Sequence, residues 1–172
     1  MQVSEIRNVF QSLVDDRVDN VTFLHWLREA TNTIGLKYGN ISSVVVVDGD
    51  TLPADFNRAA ALELSRGNIT KDFEIYEDNT IAIGATPNEC LLYYHRKPAH
   101  IPDNEDSTVP DIPPELHDAL PLLCAATFYN MESLGDAEES AMGSKFAMMA
   151  NNMINDRTKI LRKRHRRIST FT

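Results

Sequence analysis

The chain has 172 residues, of which 42% are hydrophobic and 24% charged, and these proportions suit one globular domain with a real core. No apolar run approaches the length of a membrane helix, and the first residues lack the basic and apolar segments of a secretory signal. Two cysteines, Cys90 and Cys124, exclude a disulfide framework and a zinc site built from thiols alone, which favours a reducing cytoplasm as the site of synthesis.

Helical periodicity begins at the start of the chain. Ser4 is a good N-cap, and the apolar residues that follow it predict a helix over 4–14. Thr22 is expected to cap a second helix over 22–39, which Gly39-Asn40 ends.

The periodicity changes to that of strands in the middle of the chain. The β-branched run 44–47, the turn Asp48-Gly49-Asp50 and several short alternating segments predict a small antiparallel sheet confined to 43–95. Residues 97–114 contain five prolines, and we expect them to form an extended loop on the surface.

Helical spacing then returns and predicts helices over 114–134 and 136–166. Pro121 must kink or restart the first of these, because proline has no amide donor, and Asp136 caps the second. At 1.5 Å per residue the last helix is roughly 45 Å long, so its end should project from a core of this size. The predicted fold class is α+β, mainly α: an antiparallel helical bundle (helices in 4–39 and 114–156) with a small antiparallel β-region inserted between its two halves.

Charge is distributed unevenly along the chain. Residues 1–156 hold all 25 acidic residues but only 10 of the 17 lysines and arginines, a net charge of −15. The other seven cations lie in 157–167, where no acid occurs. This pattern divides the chain into a single domain, 1–156, and a basic C-terminal arm, 157–172. Surfaces of opposite sign imply two different partners.

The basic arm carries the candidate binding residues, which are seven cations and two apolar side chains: Arg157, Lys159, Arg162, Lys163, Arg164, Arg166, Arg167, Ile168 and Phe171. We expect the arm to dock onto an acidic groove of a protein partner, because phosphate binding alone would not require the two apolar residues. A nonspecific contact with nucleic-acid phosphates and a solvated tail are the alternatives. The acidic body and the lack of aromatic residues among the cations disfavour nucleic acid.

Residues that could carry catalysis or bind a metal are scattered. The five histidines show no metal-binding spacing, residues 83–87 lack the glycines and lysine of a phosphate loop, and neither cysteine has a nucleophile signature. The Asp48-Gly49-Asp50 turn lacks the alternating oxygen ligands of a calcium loop. We therefore expect no enzymatic activity, no cofactor and no metal site.

Four methionines lie in the last helix: Met142, Met148, Met149 and Met153. Core packing is the first interpretation of this cluster. An adaptable contact between subunits is the second, because methionine fills irregular gaps.

Four stretches follow one another along nearly the whole chain: Trp26–Ala30, Leu52–Phe56 (Leu-Pro-Ala-Asp-Phe), Phe73–Tyr94, and Ile112–Leu120 followed by Asp136–Glu138. In this order they resemble the second helix, the LPxDF element, the hairpin region and the second helical half of one protein family. That family comprises the head-to-tail adaptors in the necks of tailed bacteriophages.

The resemblance implies a structural virion protein, made in the bacterial cytoplasm, that forms a ring of about twelve subunits beneath the portal. Such a ring joins the capsid to the tail and lets genomic DNA pass. The implied partners are the portal, downstream neck or tail proteins and further copies of the chain, with nonspecific DNA contact in the channel and no membrane. The resemblance does not assign the basic arm to either the portal or the DNA, and we expect it to dock onto the portal because of its two apolar residues. A nucleic-acid-binding accessory protein that uses the arm, and a tail-terminating ring protein, are the alternatives.

Overall fold

Helices lie at both ends of the chain and strands lie between them. The computed structural model describes residues 1–64, 68–70, 72–84, 89–103, 106–132 and 136–168, with side chains described as far as residue 159. The helices are α1 (Val3–Gln11), α2 (Asn20–Tyr38), α3 (Leu120–Glu132) and α4 (Ala137–Ile168), and a 3₁₀ helix (Pro114–Ala119) leads into α3. The strands are β1 (Ile41–Val46), β2 (Phe56–Leu64), β3 (Ile69–Thr70), β4 (Phe73–Ile75), β5 (Ile81–Ile83) and β6 (Cys90–Arg96).

The four helices pack around one apolar core, which we call the helical half. Leu27, Leu116 and Leu120 are fully buried there. The last two helices, α3 and α4, approach closely at Gly143. A Cβ atom at this position would collide with the side chain of Asn130 on α3. Burial of such side chains is the main source of stability for helices of this length.

The strands form a second unit, the sheet half. Four of them make an antiparallel sheet in the order β1-β6-β2-β3, and β4 pairs with β5 in a separate hairpin. Leu62 and Leu92 of the large sheet share a second core with Ile81 of the hairpin. The hairpin therefore covers one face of the sheet.

The predicted fold class is wrong about the balance of the two halves. The chain is 48% helical and 22% strand, with a four-stranded antiparallel sheet, and that sheet has its own core. This is an α+β fold, not a helical bundle with only a small inserted sheet. The prediction undervalued the sheet because β2, its longest strand, begins at Phe56 and contains Ala59-Ala60-Ala61, and alanine is a poor strand former.

The predicted positions of the helices are confirmed to within three residues at the ends that the structure describes, when the 3₁₀ helix is counted together with α3. Pro121 is the second residue of α3, after the 3₁₀ helix, so the helix restarts there as expected. Asp136 caps α4, since its Oδ1 accepts the Glu138 amide at 2.8 Å.

Two predicted N-caps are wrong. Gln2, not Ser4, precedes α1, and its amide donates to the Glu5 carboxylate at 2.7 Å. Asp19, not Thr22, caps α2: its Oδ1 accepts the Val21 amide at 2.9 Å and the Thr22 amide at 3.0 Å. The Thr22 hydroxyl also donates to Asp19, so the threonine supports the cap rather than making it. These bonds hold the pKa of Asp19 below its usual value of 3.8.

The proline-rich segment is not confined to the surface as predicted. Ile101 and Ile112 are 2% exposed and belong to the core of the helical half. The backbone carbonyls of Asp106 and Thr108 accept the Ser4 and Val3 amides at 3.0 and 2.9 Å. The segment therefore packs along the helices and satisfies amide donors of α1 that have no partner within the helix.

Candidate functional site

The basic arm begins on the last helix, which runs 32 residues, or about 48 Å. The buried face of α4 follows helical spacing through Phe146, Ala150, Ile154 and Thr158, all at most 7% exposed. One face of residues 137–158 thus packs on the rest of the helical half, and the backbone continues as helix for ten more residues to Ile168.

The first two cations of the arm lie on this packed part of α4. Arg157 Nη2 is 3.4 Å from Asp118 Oδ2 of the 3₁₀ helix, and Lys159 Nζ is 3.0 Å from Asp156 Oδ1. All four side chains are more than 40% exposed, and ion pairs that exposed contribute little to stability. Breaking these ion pairs would therefore cost little free energy, so both cations can also bind a partner.

The other candidate residues lie further along the arm. Five cations and one apolar residue are on the helical backbone at the end of α4: Arg162, Lys163, Arg164, Arg166, Arg167 and Ile168. Their side chains, and all of Phe171, lie outside the described residues. The helix brings the cations together at its C-terminus, where positive charge interacts favourably with the helix dipole.

The methionines of α4 are not one core cluster. Met142 and Met153 pack against the core of the helical half, but Met148 is 60% exposed and Met149 is 43% exposed. The core-packing interpretation is wrong for the exposed pair, because both residues lie off the face that carries Phe146 and Ala150. Flexible apolar side chains on the outside of a helix suit an adaptable contact.

The Leu-Pro-Ala-Asp-Phe segment closes one end of the sheet half. Leu52 and Phe56 are buried in its core, and the Phe56 and Tyr94 rings lie 5.7 Å apart. The Tyr94 hydroxyl donates to Asp55 Oδ1 at 3.0 Å. Burial, followed by this bond to a carboxylate, raises the pKa of Tyr94. The structure therefore gives this segment a packing role.

Asp111 joins the two halves of the molecule. Its Oδ1 accepts from Arg96 Nη2 of β6 at 2.5 Å and from Asn40 Nδ2 at 3.0 Å, and its Oδ2 accepts the Ala99 amide at 3.0 Å. Nearby, Gly39 is required by close packing, because a Cβ there would meet the Arg96 carbonyl oxygen at 2.7 Å. Sequence reasoning missed this junction, because its residues are far apart in the chain.

His117 is a second residue that sequence reasoning missed. It is 2% exposed, and its Nε2 lies 3.2 and 3.1 Å from the Pro110 and Ile112 carbonyl oxygens. Its Nδ1 lies 2.8 Å from the Met1 amino group. These partners suit a neutral ring that donates through Nε2 and accepts at Nδ1. Burial, and then the positive charge of that amino group, lower the pKa of His117.

The described part of the chain offers little for chemistry at a metal or a thiol. It contains no group of three or more histidine, cysteine or acidic side chains arranged to hold a metal ion. Cys90 and Cys124 are buried in different cores, and burial raises the pKa of Cys124 to about 12.

None of the described helices is both long and apolar enough to span a membrane. In the comparisons with known proteins, no family model matches the chain and no curated protein is significantly similar to it.

Proposed function

We propose that this chain is a head-to-tail adaptor from the neck of a tailed bacteriophage. In this role about twelve copies form a ring beneath the portal, join the capsid to the tail and leave a channel for genomic DNA. The role is structural and requires no catalytic residue. The proposal begins from the order of the four stretches described above, which resembles that family.

The observation that carries the proposal is the separation of charge along α4. Residues 1–156 have a net charge of −15, whereas the C-terminal end of α4 contains seven cations and no acidic residue. Arg157 and Lys159 are the two cations of the arm whose side chains the structure describes, and each makes only an exposed ion pair within the described part of the chain. An acidic groove on the portal would remove the mutual repulsion of these cations, and the complementary charge would speed association.

The test is deletion of residues 157–172, with binding measured to the portal of the same phage. Portal binding should be lost, because the deletion removes all seven cations and both apolar residues of the arm. Circular dichroism should still show a folded domain, since most of the buried residues of α4 precede residue 157. Undiminished portal binding by the shortened chain would contradict the docking role.

Two full-length variants separate charge from apolar contact. The first replaces Arg162, Lys163, Arg164, Arg166 and Arg167 with glutamine, and the second replaces Ile168 and Phe171 with serine. We expect both to weaken portal binding, with the glutamine variant also losing its dependence on salt. Particles seen by electron microscopy should contain a ring of about twelve subunits on the portal.

The basic run also favours a second candidate function, binding to nucleic-acid phosphates by an accessory protein. Such binding would be independent of sequence and would weaken steeply as salt increases. The glutamine variant would then lose DNA binding, whereas the serine variant would keep it. If deletion of the arm abolishes DNA binding and leaves portal binding intact, this second function replaces the first.

A further inference from the structure

The strand β1 forms one edge of the four-stranded sheet. Among the described strands it pairs only with β6, in six consecutive antiparallel pairs from Ile41–His95 to Val46–Cys90. In an antiparallel pair, alternate residues direct their N–H and C=O groups toward the partner strand and the others direct them away. The outer side of β1 therefore presents a row of backbone donors and acceptors.

This edge lacks the features that usually prevent strands from pairing with other chains. The segment Ile41–Val47 contains no charged residue and no proline, and its register with β6 has no bulge. Three of its apolar side chains are exposed: Ile41 by 39%, Val45 by 57% and Val47 by 37%. A regular, uncharged, apolar edge is a template for another strand.

The opposite edge of the same sheet is protected. The register of β2 against β6 shifts twice, between Phe56 and Arg58 and between Ala59 and Ala61. The edge strand there, β3, has only two residues. Bulges and a very short edge strand are two of the ways in which proteins block edge pairing. Of the two edges of this sheet, as far as its residues are described, only the β1 edge combines length, regularity and lack of charge.

We propose that β1 pairs antiparallel with β1 of a second copy of this chain, across a two-fold axis. The two four-stranded sheets then form one sheet of eight strands. This contact is distinct from the proposed ring, because a two-fold contact closes at two copies whereas ring contacts run head-to-tail.

The alternation of side chains limits the register of this pair. Ile41, Ser43, Val45 and Val47 point to the exposed face, so they must meet one another for the faces of the two sheets to coincide. Placing Val44 opposite Val44 of the second copy achieves this. Ser43 then lies opposite Val45 and carries the backbone pairing. Ile41 and Val47 meet only through their side chains, because the Val47 amide and carbonyl already bond to Asp50 at 2.9 and 3.2 Å.

The charges at the two ends of β1 favour a second copy as the occupant. The acidic turn with Asp48 and Asp50 follows the C-terminal end of the strand, and Lys37 precedes its N-terminal end. Antiparallel pairing brings the acidic end of each copy beside the basic end of the other. The uncharged middle of the strand needs a partner that is equally uncharged, since burying an unpaired charge there would be unfavourable.

The experiment is sedimentation equilibrium of the full chain over a range of protein concentrations. A pair of short strands buries less area than a standard interface, so the dimer should form only at high concentration. Val45→Lys should raise the dissociation constant by about tenfold or more, because it places a charge in the middle of the edge. Val109→Lys is the matched control, since Val109 is 53% exposed in the proline-rich segment, and it should leave the dimer unchanged.

Two further variants test the geometry. Ile69→Lys alters β3 at the other edge of the sheet, so a loss of dimer in that variant would overturn the two-fold pairing in favour of a head-to-tail one. Under oxidation Val44→Cys should form a disulfide-linked dimer across the axis, whereas Ser43→Cys, which lies opposite Val45, should not. A chain that stays monomeric at every concentration would also overturn the proposal.

Discussion

The helical half and the sheet half bury their apolar residues in different ways. In the helical half, aromatic rings join all four helices through edge-to-face, tilted and stacked contacts at centroid distances of 5.0–6.3 Å: Phe10, Phe23, Trp26, Phe128, Tyr129 and Phe146. In the sheet half, the core lies on one face of the large sheet, and Val45 on the other face is exposed. The comparison shows that the helical half encloses its core, whereas the sheet half leaves a face and an edge for other molecules.

The largest expected effect comes from removing a buried leucine in each half. Leu27 and Leu92 are both 0% exposed, the first among the helices and the second in the sheet core. Leu27→Ala should lower the free energy of unfolding by about 4 kcal/mol and Leu92→Ala by about 3 kcal/mol. The sheet variant should lose less because a one-sided core can close around the cavity more easily.

Urea unfolding gives these values and also tests whether the halves unfold together. Trp26, the single tryptophan, lies in the helical core and reports on that half by fluorescence, while far-ultraviolet circular dichroism reports on both. Coincident transitions in both variants are expected for one cooperative unit. If Leu92→Ala shifts only the circular dichroism signal, the two halves unfold separately.

An intermediate effect is expected at the junction between the halves. Asp111→Asn removes the negative charge of the carboxylate that accepts a hydrogen bond from Arg96. It should lower the free energy of unfolding by about 1–2 kcal/mol. Asp118→Asn is the matched control. Within the described residues that carboxylate pairs only with Arg157, at 3.4 Å and in an exposed position, so the effect should be close to zero. Equal losses in the two variants would mean that Asp111 does not hold the halves together.

The smallest effect is a pH dependence of the helical half. Because the pKa of buried His117 lies below its usual value of 6.5, the folded state binds this proton less readily than the unfolded state. Its contribution to stability is therefore complete above about pH 6.5 and is lost as the pH falls below that value. Thermal melting followed by Trp26 fluorescence should show this loss.

The matched variant is His117→Gln, which keeps a donor and an acceptor but cannot be protonated in this range. It should be less stable than the native chain at pH 7 and should show a weaker decline between pH 6.5 and pH 5. An unchanged decline in this variant would assign the pH dependence to other groups.

Much of the architecture could be predicted from sequence because it depends on local pattern. The spacing of apolar residues located all four helices, and the missing amide of Pro121 explained why α3 restarts. The turn Asp48-Gly49-Asp50 was also predictable, since Gly49 has a φ of 85° that favours glycine. The candidate arm was visible from charge alone, because a run of cations without acids needs no tertiary structure to be recognised.

Tertiary structure alone decided which of those elements face one another and which face solvent. Asp111 and Arg96 lie 15 residues apart in the chain, His117 and Met1 lie 116 apart, and no short-range pattern relates them. Met148 and Met153 look alike in sequence, yet only Met153 packs on the core. The sequence by itself determined the helices, the turns and the charged arm, since each is fixed by neighbours within a few residues. Three features depended on contacts between distant segments, which only the folded chain brings together. They are the size of the sheet relative to the helices, the junction at Asp111 and the edge of β1 that pairs with no described strand.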